Sequence, residues 1–380
     1  MTLFLFLKQI VDMLYQVQLL DYLMVCLVLV MLLYQVALVR PDIRKNSTAA
    51  DGLIIALGIL LTITFARDIH GYGIYFKVLS AFMMYFVGRI YYERIQECYG
   101  ALVVSGYLVV YLNFFSRLIH FGISLTNVSN AGGDLYYYDT DMAFAMILAM
   151  TFILMFGHNT LFKYITVFVV CPYMVFRSDA GIQMVLMLAV YAVVVMYVME
   201  LLIENKKISN LLLTVIVVGL LAIVVIIYLP VFGIANDDII VTLFGGKFLD
   251  NDNMYGRYQV WQNVLEDFKS RSLWQQWFGV NIGSNVNIGS LYMKIMYSLG
   301  YTGLFLTVVF IMNVVYYVVK VSDRKTFYVA VILAVLLLGT GVTVSSMEFT
   351  QMSWFPMMFS GMVVSSVQKE NRDEWKLKGD

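Results

Sequence analysis

Apolar stretches of about 20 residues recur along this chain, and they limit the possible folds more than any other feature of the sequence. A helix of that length crosses the hydrocarbon core of a bilayer. The sequence is 61% hydrophobic and 13% charged, and this charged fraction is about half that of a soluble domain. We therefore predict an all-α, polytopic integral membrane protein. Its transmembrane helices are expected to number 11, within a range of 10–12, at residues 19–39, 53–65, 74–90, 99–115, 142–156, 161–176, 182–203, 211–232, 291–319, 327–339 and 352–367.

The predicted spans form a single transmembrane domain over residues 1–380, with one large extracytoplasmic loop at 233–290. Within this loop, apolar residues recur at helical spacing over about 254–269 and predict an amphipathic helix. The opposite face of this helix is polar, so it is expected either to lie on the membrane or to form part of a ligand site. Its apolar stripe consists of Tyr258, Trp261, Val264, Leu265 and Phe268.

The N-terminal residues precede the first predicted span without a small-residue cleavage site, so that span is expected to be a retained signal-anchor. The apolar spacing over residues 3–14 predicts a short helix lying in the membrane interface. A twelfth span within residues 1–39 is the alternative. That alternative moves the N-terminus to the other side of the membrane and changes nothing downstream.

Lysine and arginine concentrate in alternate connections, which assigns those connections and the C-terminus to the cytoplasm by the positive-inside rule. The loop at 233–290 then faces outward. The cytoplasmic set comprises Arg40, Arg44, Lys45, Arg89, Arg94, Lys163, Lys206, Lys207, Lys320, Arg324, Lys325 and the lysines and arginine of the C-terminal tail.

A second group of cations lies near the helix ends that are predicted to face outward. Each of these cations alone is typical of an interface anchor whose head group reaches the lipid phosphates. As a group they predict an anion-binding site approached from outside, because guanidinium groups match phosphate oxygens in pairs. The group comprises Arg67, Lys77, Arg117, Arg177, Arg257 and Lys294.

Composition argues against several other classes of protein. The formal net charge is zero, so nothing in the charge balance indicates nucleic-acid binding. The three cysteines and three histidines are widely separated and lack the spacing of metal ligands. We therefore expect neither a metal nor a cofactor.

Short motifs follow one another in the loop at 233–290 and in the span after it. They are Gly256-Arg257-Tyr258-Gln259-Val260-Trp261, Phe278-Gly279-Val280-Asn281-Ile282-Gly283, Ser290-Leu291-Tyr292-Met293 and Gly300-Tyr301-Thr302-Gly303. Upstream, outward helix ends carry Tyr138-Asp139-Thr140-Asp141-Met142-Ala143 and Arg177-Ser178-Asp179-Ala180-Gly181. In order and placement these motifs resemble those of the O-antigen polymerase and O-antigen ligase family, which includes the Wzy-type polysaccharide polymerases of bacteria.

The resemblance implies a GT-C-like helical fold in the bacterial inner (plasma) membrane and a glycosyltransferase activity. The implied substrate is a polyprenyl-pyrophosphate-linked oligosaccharide, whose repeat units are joined at the outer face of the membrane to make O-antigen, capsule or exopolysaccharide. An acceptor hydroxyl attacks the anomeric carbon with inversion, without a metal, and the lipid pyrophosphate leaves. The implied partners are membrane lipid and, in the same pathway, a chain-length regulator and a flippase.

Candidate site residues follow from these motifs and from the outward charges. The catalytic candidates are Arg257 and Arg177, which would stabilise the leaving pyrophosphate, and the carboxylates Asp179 and Glu348. The base that accepts the hydroxyl proton stays open among the outward carboxylates. The substrate-binding candidates are Arg67, Arg117, Asp139, Tyr258, Trp261, Tyr292 and Lys294.

Two departures from the family pattern affect this interpretation. The family histidine at the end of the loop aligns near Gly289 and is missing, which favours a polymerase over a ligase. The arginine expected after Ser178 is Asp179, with Arg177 one or two positions early. A ligase, or a transporter or flippase of lipid-linked oligosaccharide, are the alternatives. A transporter should carry charges at mid-membrane depth, and here Lys77 is the one clear charge inserted in a predicted span.

Overall fold

The computed structural model describes residues 1–14, 18–34, 37, 47–122, 135–136, 139–178, 180–203, 219, 251–280, 282 and 288–379. Regular secondary structure in these residues is entirely helical. The helices are α1 (Thr2–Met13), α2 (Gln18–Tyr34), α3 (Ala49–Arg67), α4 (Tyr72–Ile90), α5 (Tyr92–Glu97), α6 (Tyr99–Phe121), α7 (Asp139–Phe156), α8 (Leu161–Ile165), α9 (Cys171–Arg177), α10 (Gly181–Ile203), α11 (Asn251–Ser270), α12 (Leu273–Phe278), α13 (Leu291–Lys320), α14 (Arg324–Thr340) and α15 (Thr350–Gly379). A π-helical turn, Thr166–Val170, joins α8 to α9, and a 3₁₀ turn, Ser346–Glu348, precedes α15.

Six of the described helices, α3, α4, α6, α7, α10 and α13, are long and apolar enough to cross a membrane. This agrees with the predicted all-α membrane class. The predicted span at 211–232 lies outside the described residues, as does the loop segment 233–250. The total of 11 spans therefore stays a prediction.

Helix α7 occupies the centre of the bundle. It is apolar on every side, from Met142 to Met155, and 78% of it is buried. A helix that is apolar all round is stable only when neighbours cover every face. Here α6, α9, α10, α14 and α15 all pack against it, so the methionine-rich sequence serves as packing material.

Successive long helices run in opposite directions, so their ends gather at two opposite ends of the bundle. At one end α3 stops at Arg67, α9 stops at Arg177, and α7 begins at Asp139. We call this the arginine end. The opposite end contains Arg89, Lys163 and Arg324, which belong to the basic set that the sequence assigns to alternate connections. The alternation follows the charge pattern of the sequence.

An ion pair between α3 and α4 holds the opposite end together. Arg89 Nε and Nη2 each donate to one carboxylate oxygen of Asp51 over 2.9 Å, and Tyr85 Oη donates to Asp51 Oδ1 over 2.8 Å. Arg89 Nη1 also donates to Ser365 Oγ on α15 over 2.9 Å. Three helices are therefore joined through a nearly buried guanidinium.

Replacing Asp51 with asparagine is expected to destabilise the folded protein by about 3 kcal/mol, because the buried Arg89 charge loses its counter-charge. A thermal unfolding curve in detergent measures this. The control is Glu93→Gln, which breaks the exposed Lys369–Glu93 pair (2.7 Å) at the same end and should leave the curve unchanged. Equal curves for the two variants would contradict this role for Asp51.

The prediction that the first helix lies in the interface is wrong, because α1 is packed inside the bundle against α6. Gln9 Nε2 donates to Ser105 Oγ over 2.8 Å, and Thr2 lies beside Cys98, where α6 begins. From there α1 runs toward α15, where Lys8 lies over the Trp354 ring at 4.3 Å. Since α2 then runs back along α4, the arrangement favours the alternative that places a further membrane-inserted helix in residues 1–39.

Helix α13 is broken at Gly300, which has φ +68° and ψ −170°. Residues 291–299 ahead of the break are almost all buried, whereas many of the residues after it are exposed. Helix α12 crosses α13 at this break. There an added β-carbon on Gly300 would lie 2.4 Å from the backbone of Trp277. The break therefore lets α12 approach the backbone of α13 directly.

Helix α11 lies where the sequence predicts an amphipathic helix at about 254–269. All five residues of the predicted apolar stripe are buried, with exposed fractions of 5% or less, in a cluster formed with Ile288, Met293, Met296, Tyr297 and Val342. Trp261 Nε1 donates to Ile288 O over 2.9 Å. The helix is thus docked on the bundle by its apolar face.

Candidate functional site at the arginine end

Arg177 is the last residue of α9 and the most completely buried arginine of the candidate set, with 1% of its surface exposed. Its Nη1 donates to Gly122 O (3.0 Å) and to Tyr173 Oη (2.9 Å). Its Nε and Nη2 have no hydrogen-bond partner among the described residues. Buried donors are almost always satisfied in native structures, so this guanidinium has unused capacity to bind an acceptor.

Arg117 lies beside Arg177 at the end of α6 and differs from it in having a counter-charge. Its Nη2 donates to Asp139 Oδ1 over 2.7 Å, and its Nη1 donates to Arg177 O over 3.3 Å. The predicted residues Arg117, Arg177 and Asp139 are therefore brought together. Arg117 and Asp139 neutralise each other and fix the chain at Arg177, whose own charge is paired with neutral groups.

Arg257 lies near the start of α11, and its Nη1 donates to Thr343 O over 2.7 Å. Burial lowers the pKa of its guanidinium, since a charge withdrawn from water is disfavoured. Its ordinary pKa is so far above neutrality that the group stays charged. Like Arg177, it is a largely buried cation, and its hydrogen-bond acceptor, the Thr343 carbonyl, is uncharged.

The segment 341–349, between α14 and α15, connects the parts of the site. Arg257 binds its Thr343 carbonyl, and Ser345 Oγ donates to Ser290 O (3.3 Å). Just before the segment, Gln183 Nε2 donates to Thr340 Oγ1 over 3.0 Å. Gln183 lies in the first turn of α10, so α10 is joined to the end of α14 close to the segment that binds Arg257.

Glu348, the candidate base, forms an ion pair with Lys294 in which Nζ and Oε1 are 3.3 Å apart. Burial raises the pKa of the Glu348 carboxyl, and Lys294 opposes that rise. A carboxylate whose pKa moves toward neutrality becomes a better proton acceptor. The predicted residues Glu348 and Lys294 are in contact, and the Lys294 charge partly offsets the effect of burial on the Glu348 carboxyl.

A cavity of about 270 Å³ opens between the starts of α2 and α4 and the end of the segment 341–349. In its wall, Lys77 Nζ lies 3.2 Å from Asp21 Oδ2. The Lys77 charge, like that of Lys294, opposes the rise that burial causes in the pKa of the Glu348 carboxyl. The cavity is lined by Asp21, Tyr22, Gly73, Ile74, Lys77, Glu348 and Phe349.

The remaining predicted residues lie elsewhere. Arg67 is exposed, with its guanidinium 5.5 Å from the centre of the Trp274 ring. Tyr258 and Trp261 are buried in the docking face of α11, and Tyr292 Oη donates to Leu338 O over 2.8 Å. These three aromatic side chains therefore hold the fold together, and their faces do not line the cavity. Asp179 lies outside the described residues.

A buried chain of polar contacts, which no sequence motif indicates, leads from the cavity into the bundle. Asp21 Oδ1 accepts from Thr350 Oγ1 (2.8 Å), Thr350 lies 3.4 Å from Asp12, and Asp12 pairs with Lys8. Lys8 and Asp12 are 1% and 7% exposed. Lys8 and Asp12 precede the first predicted span, so the comparison of charges within the predicted spans did not include them. The sequence does contain a signal for this pair, because Lys8 and Asp12 are a lysine and an aspartate four residues apart in an apolar stretch.

No group of three or more histidine, cysteine, aspartate or glutamate side chains in the described ranges is arranged to hold a metal ion. No protein-family model matches the sequence, and no curated protein matches it.

Proposed function

We propose that this protein is a bacterial polysaccharide polymerase, a membrane glycosyltransferase that joins polyprenyl-pyrophosphate-linked oligosaccharide repeat units. The proposal depends on one observation: the guanidinium of Arg177 is buried at the arginine end, and its Nε and Nη2 have no hydrogen-bond partner in the part of the chain that the structure describes. A pyrophosphate supplies the oxygen acceptors that such a group lacks. The motif Gly256-Arg257 and its resemblance to the polymerase family add support.

In this proposal the lipid tail of the donor stays in the bilayer and its pyrophosphate meets Arg177 and Arg257. A hydroxyl of the acceptor sugar attacks the anomeric carbon, and the bond from that carbon to the pyrophosphate breaks. Negative charge then grows on the leaving group. Fixed guanidinium groups stabilise this charge in the transition state without having to reorganise. Glu348 is the candidate base for the hydroxyl proton.

An orientation in the membrane follows from this function. The arginine end faces the outside, the C-terminus is cytoplasmic, and 10–12 spans cross the inner membrane, including the predicted span at 211–232. A chain-length regulator and a flippase of the same pathway are the proposed protein partners.

A transporter of lipid-linked oligosaccharide is the second candidate, because the buried contacts among Lys8, Asp12, Thr350 and Asp21 are a feature that transporters use. Proteoliposomes distinguish the two functions. A polymerase lengthens lipid-linked chains when substrate is present on the side of the arginine end alone. A transporter moves substrate between leaflets without changing its length.

Arg257→Ala is expected to lower polymerisation about a hundredfold, since it removes one stabilising donor from the transition state. The measurement is a ladder gel of surface glycan from a null strain that carries the variant. Lys269→Ala is the control, because Lys269 is an exposed cation on the same helix. Long chains at normal abundance from Arg257→Ala would remove this residue from the site.

A further inference from the structure

The cavity between α2, α4 and the segment 341–349 differs in charge from the region around Arg177. Two carboxylates, Asp21 and Glu348, line it together with a single cation, Lys77. Asp21 is paired with Lys77 and Glu348 with Lys294, so the site has no surplus of positive charge for a pyrophosphate. Sugar hydroxyls, in contrast, donate readily to carboxylates and accept from an ammonium group. The lining therefore suits an uncharged, polyhydroxylated ligand.

Size supports the same conclusion. The cavity volume of about 270 Å³ is just below the range of about 300–1,000 Å³ that is usual for sites of drug-sized ligands. It has room for a small ring and not for a whole oligosaccharide repeat. Tyr22 contributes an aromatic ring to the lining, and aromatic faces pack against the apolar faces of sugars.

Position connects the cavity to the reaction. Glu348 lines it, and Thr343, whose carbonyl binds Arg257, is five residues earlier in the chain. A segment of that length spans at most about 17 Å, and the 3₁₀ turn Ser346–Glu348 shortens it further. A ligand in the cavity therefore lies within one oligosaccharide length of the guanidinium that meets the donor.

We propose that this cavity binds the acceptor, with Asp21 and Lys77 holding the hydroxyls of one sugar ring and Glu348 facing the hydroxyl that reacts. This inference rests on the proposed polymerase function. In the reaction, the acceptor oxygen forms a bond to the anomeric carbon, and the bond from that carbon to the pyrophosphate oxygen breaks. Its electron pair leaves with the pyrophosphate, and the hydroxyl proton passes to the Glu348 carboxylate. Asp21 and Lys77 determine which sugar is accepted.

The test uses purified full-length protein and two substrates with separate roles. The donor is the native lipid-linked repeat unit. The acceptor is the oligosaccharide released from it by mild acid and blocked at its reducing end. Without a pyrophosphate this oligosaccharide has no leaving group, so it serves as an acceptor alone. Each substrate is varied in turn while the other is held at a saturating concentration, and the product measured is the elongated form of the blocked acceptor.

Asp21→Asn is expected to raise the half-saturating acceptor concentration at least about tenfold, because hydrogen bonds to a charged group are stronger than those to the neutral amide that replaces it. The half-saturating donor concentration should stay within twofold of that of the unaltered protein. Arg177→Ala should show the reverse pattern. Glu93→Gln, an exposed acid at the opposite end, is the control and should change neither value.

Gly73→Leu is a second variant that keeps every charge. Gly73 lines the cavity, and a β-carbon there would lie 2.7 Å from Tyr22 Oη, so a larger side chain crowds the site. Gly73→Leu should also raise the half-saturating acceptor concentration. If the Asp21→Asn protein is not monodisperse, Gly73→Leu alone tests whether the cavity binds the acceptor. Unchanged acceptor dependence in a folded variant would overturn the acceptor site alone. Unaltered protein that joins no repeat units would overturn the polymerase function and this site together.

Discussion

Replacing Arg177 with alanine is expected to reduce the rate of repeat-unit joining about a thousandfold, the upper end of what one transition-state donor contributes. The reason is that Nε and Nη2 of this buried side chain have no partner among the described residues and are therefore available to the leaving group. Arg177→Lys should lose nearly as much, because an ammonium group cannot offer two parallel donors. Single-turnover assays with purified protein and lipid-linked repeats measure both variants.

A structural role for Arg177 would give a different set of results, since its Nη1 also holds Gly122 O and Tyr173 Oη. Tyr173→Phe removes one of these neutral contacts and leaves the unpartnered nitrogens in place, so it should keep most of the activity. Inhibition by added polyprenyl pyrophosphate provides a second measurement, which Arg177→Ala should weaken. Normal inhibition together with a lowered unfolding temperature would show that Arg177 only supports the fold.

Gly300→Ala is expected to prevent accumulation of folded protein. A β-carbon at this position would overlap the carbonyl of Trp277 at 2.4 Å. The backbone angles, φ +68° and ψ −170°, lie in a region that only glycine adopts readily. Overlap with main chain, which cannot turn aside, adds to that strain, and the combined cost should exceed about 4 kcal/mol. Yield and monodispersity after size-exclusion chromatography measure the effect.

Gly100→Ala provides the matched comparison for Gly300→Ala. Gly100 lies in α6, and a β-carbon there would meet nothing within 4 Å. Alanine is the better helix former by up to about 1 kcal/mol, so this variant should express at least as well as the unaltered protein. Equal yields from both variants would mean that the backbone of α12 at Trp277 does not contact α13 at Gly300.

Local patterns in the sequence predicted much of the fold. The uniform apolar character of α7 indicates burial on all sides, and the stripe from Tyr258 to Phe268 gives the docking face of α11. The order of helix ends also predicts that Arg117, Arg177 and Asp139 share one end of the bundle. Each of these conclusions depends on residues that are close in the chain or on the alternation of helix direction.

The pairings within the site could not be predicted in the same way. Asp21 is bound to Thr350, 329 residues away, and nothing in either local sequence specifies the other. The same holds for Lys294 with Glu348 and for Lys77 with Asp21. The aromatic candidates Tyr258 and Trp261 were assigned to substrate because periodicity identifies an apolar face without showing what covers it. Long-range packing, which decides partners, is absent from local patterns.

The position of α1 has a consequence for biogenesis. Twelve residues extend only about 18 Å as a helix, too short for a translocon to recognise as a membrane-crossing segment, and Lys8 and Asp12 add charge. Lys8 and Asp12 pair with each other, and their further contacts are with Trp354 and Thr350 on α15. Packing of α1 into the bundle therefore depends on contacts with α15, so we expect these two helices to assemble together.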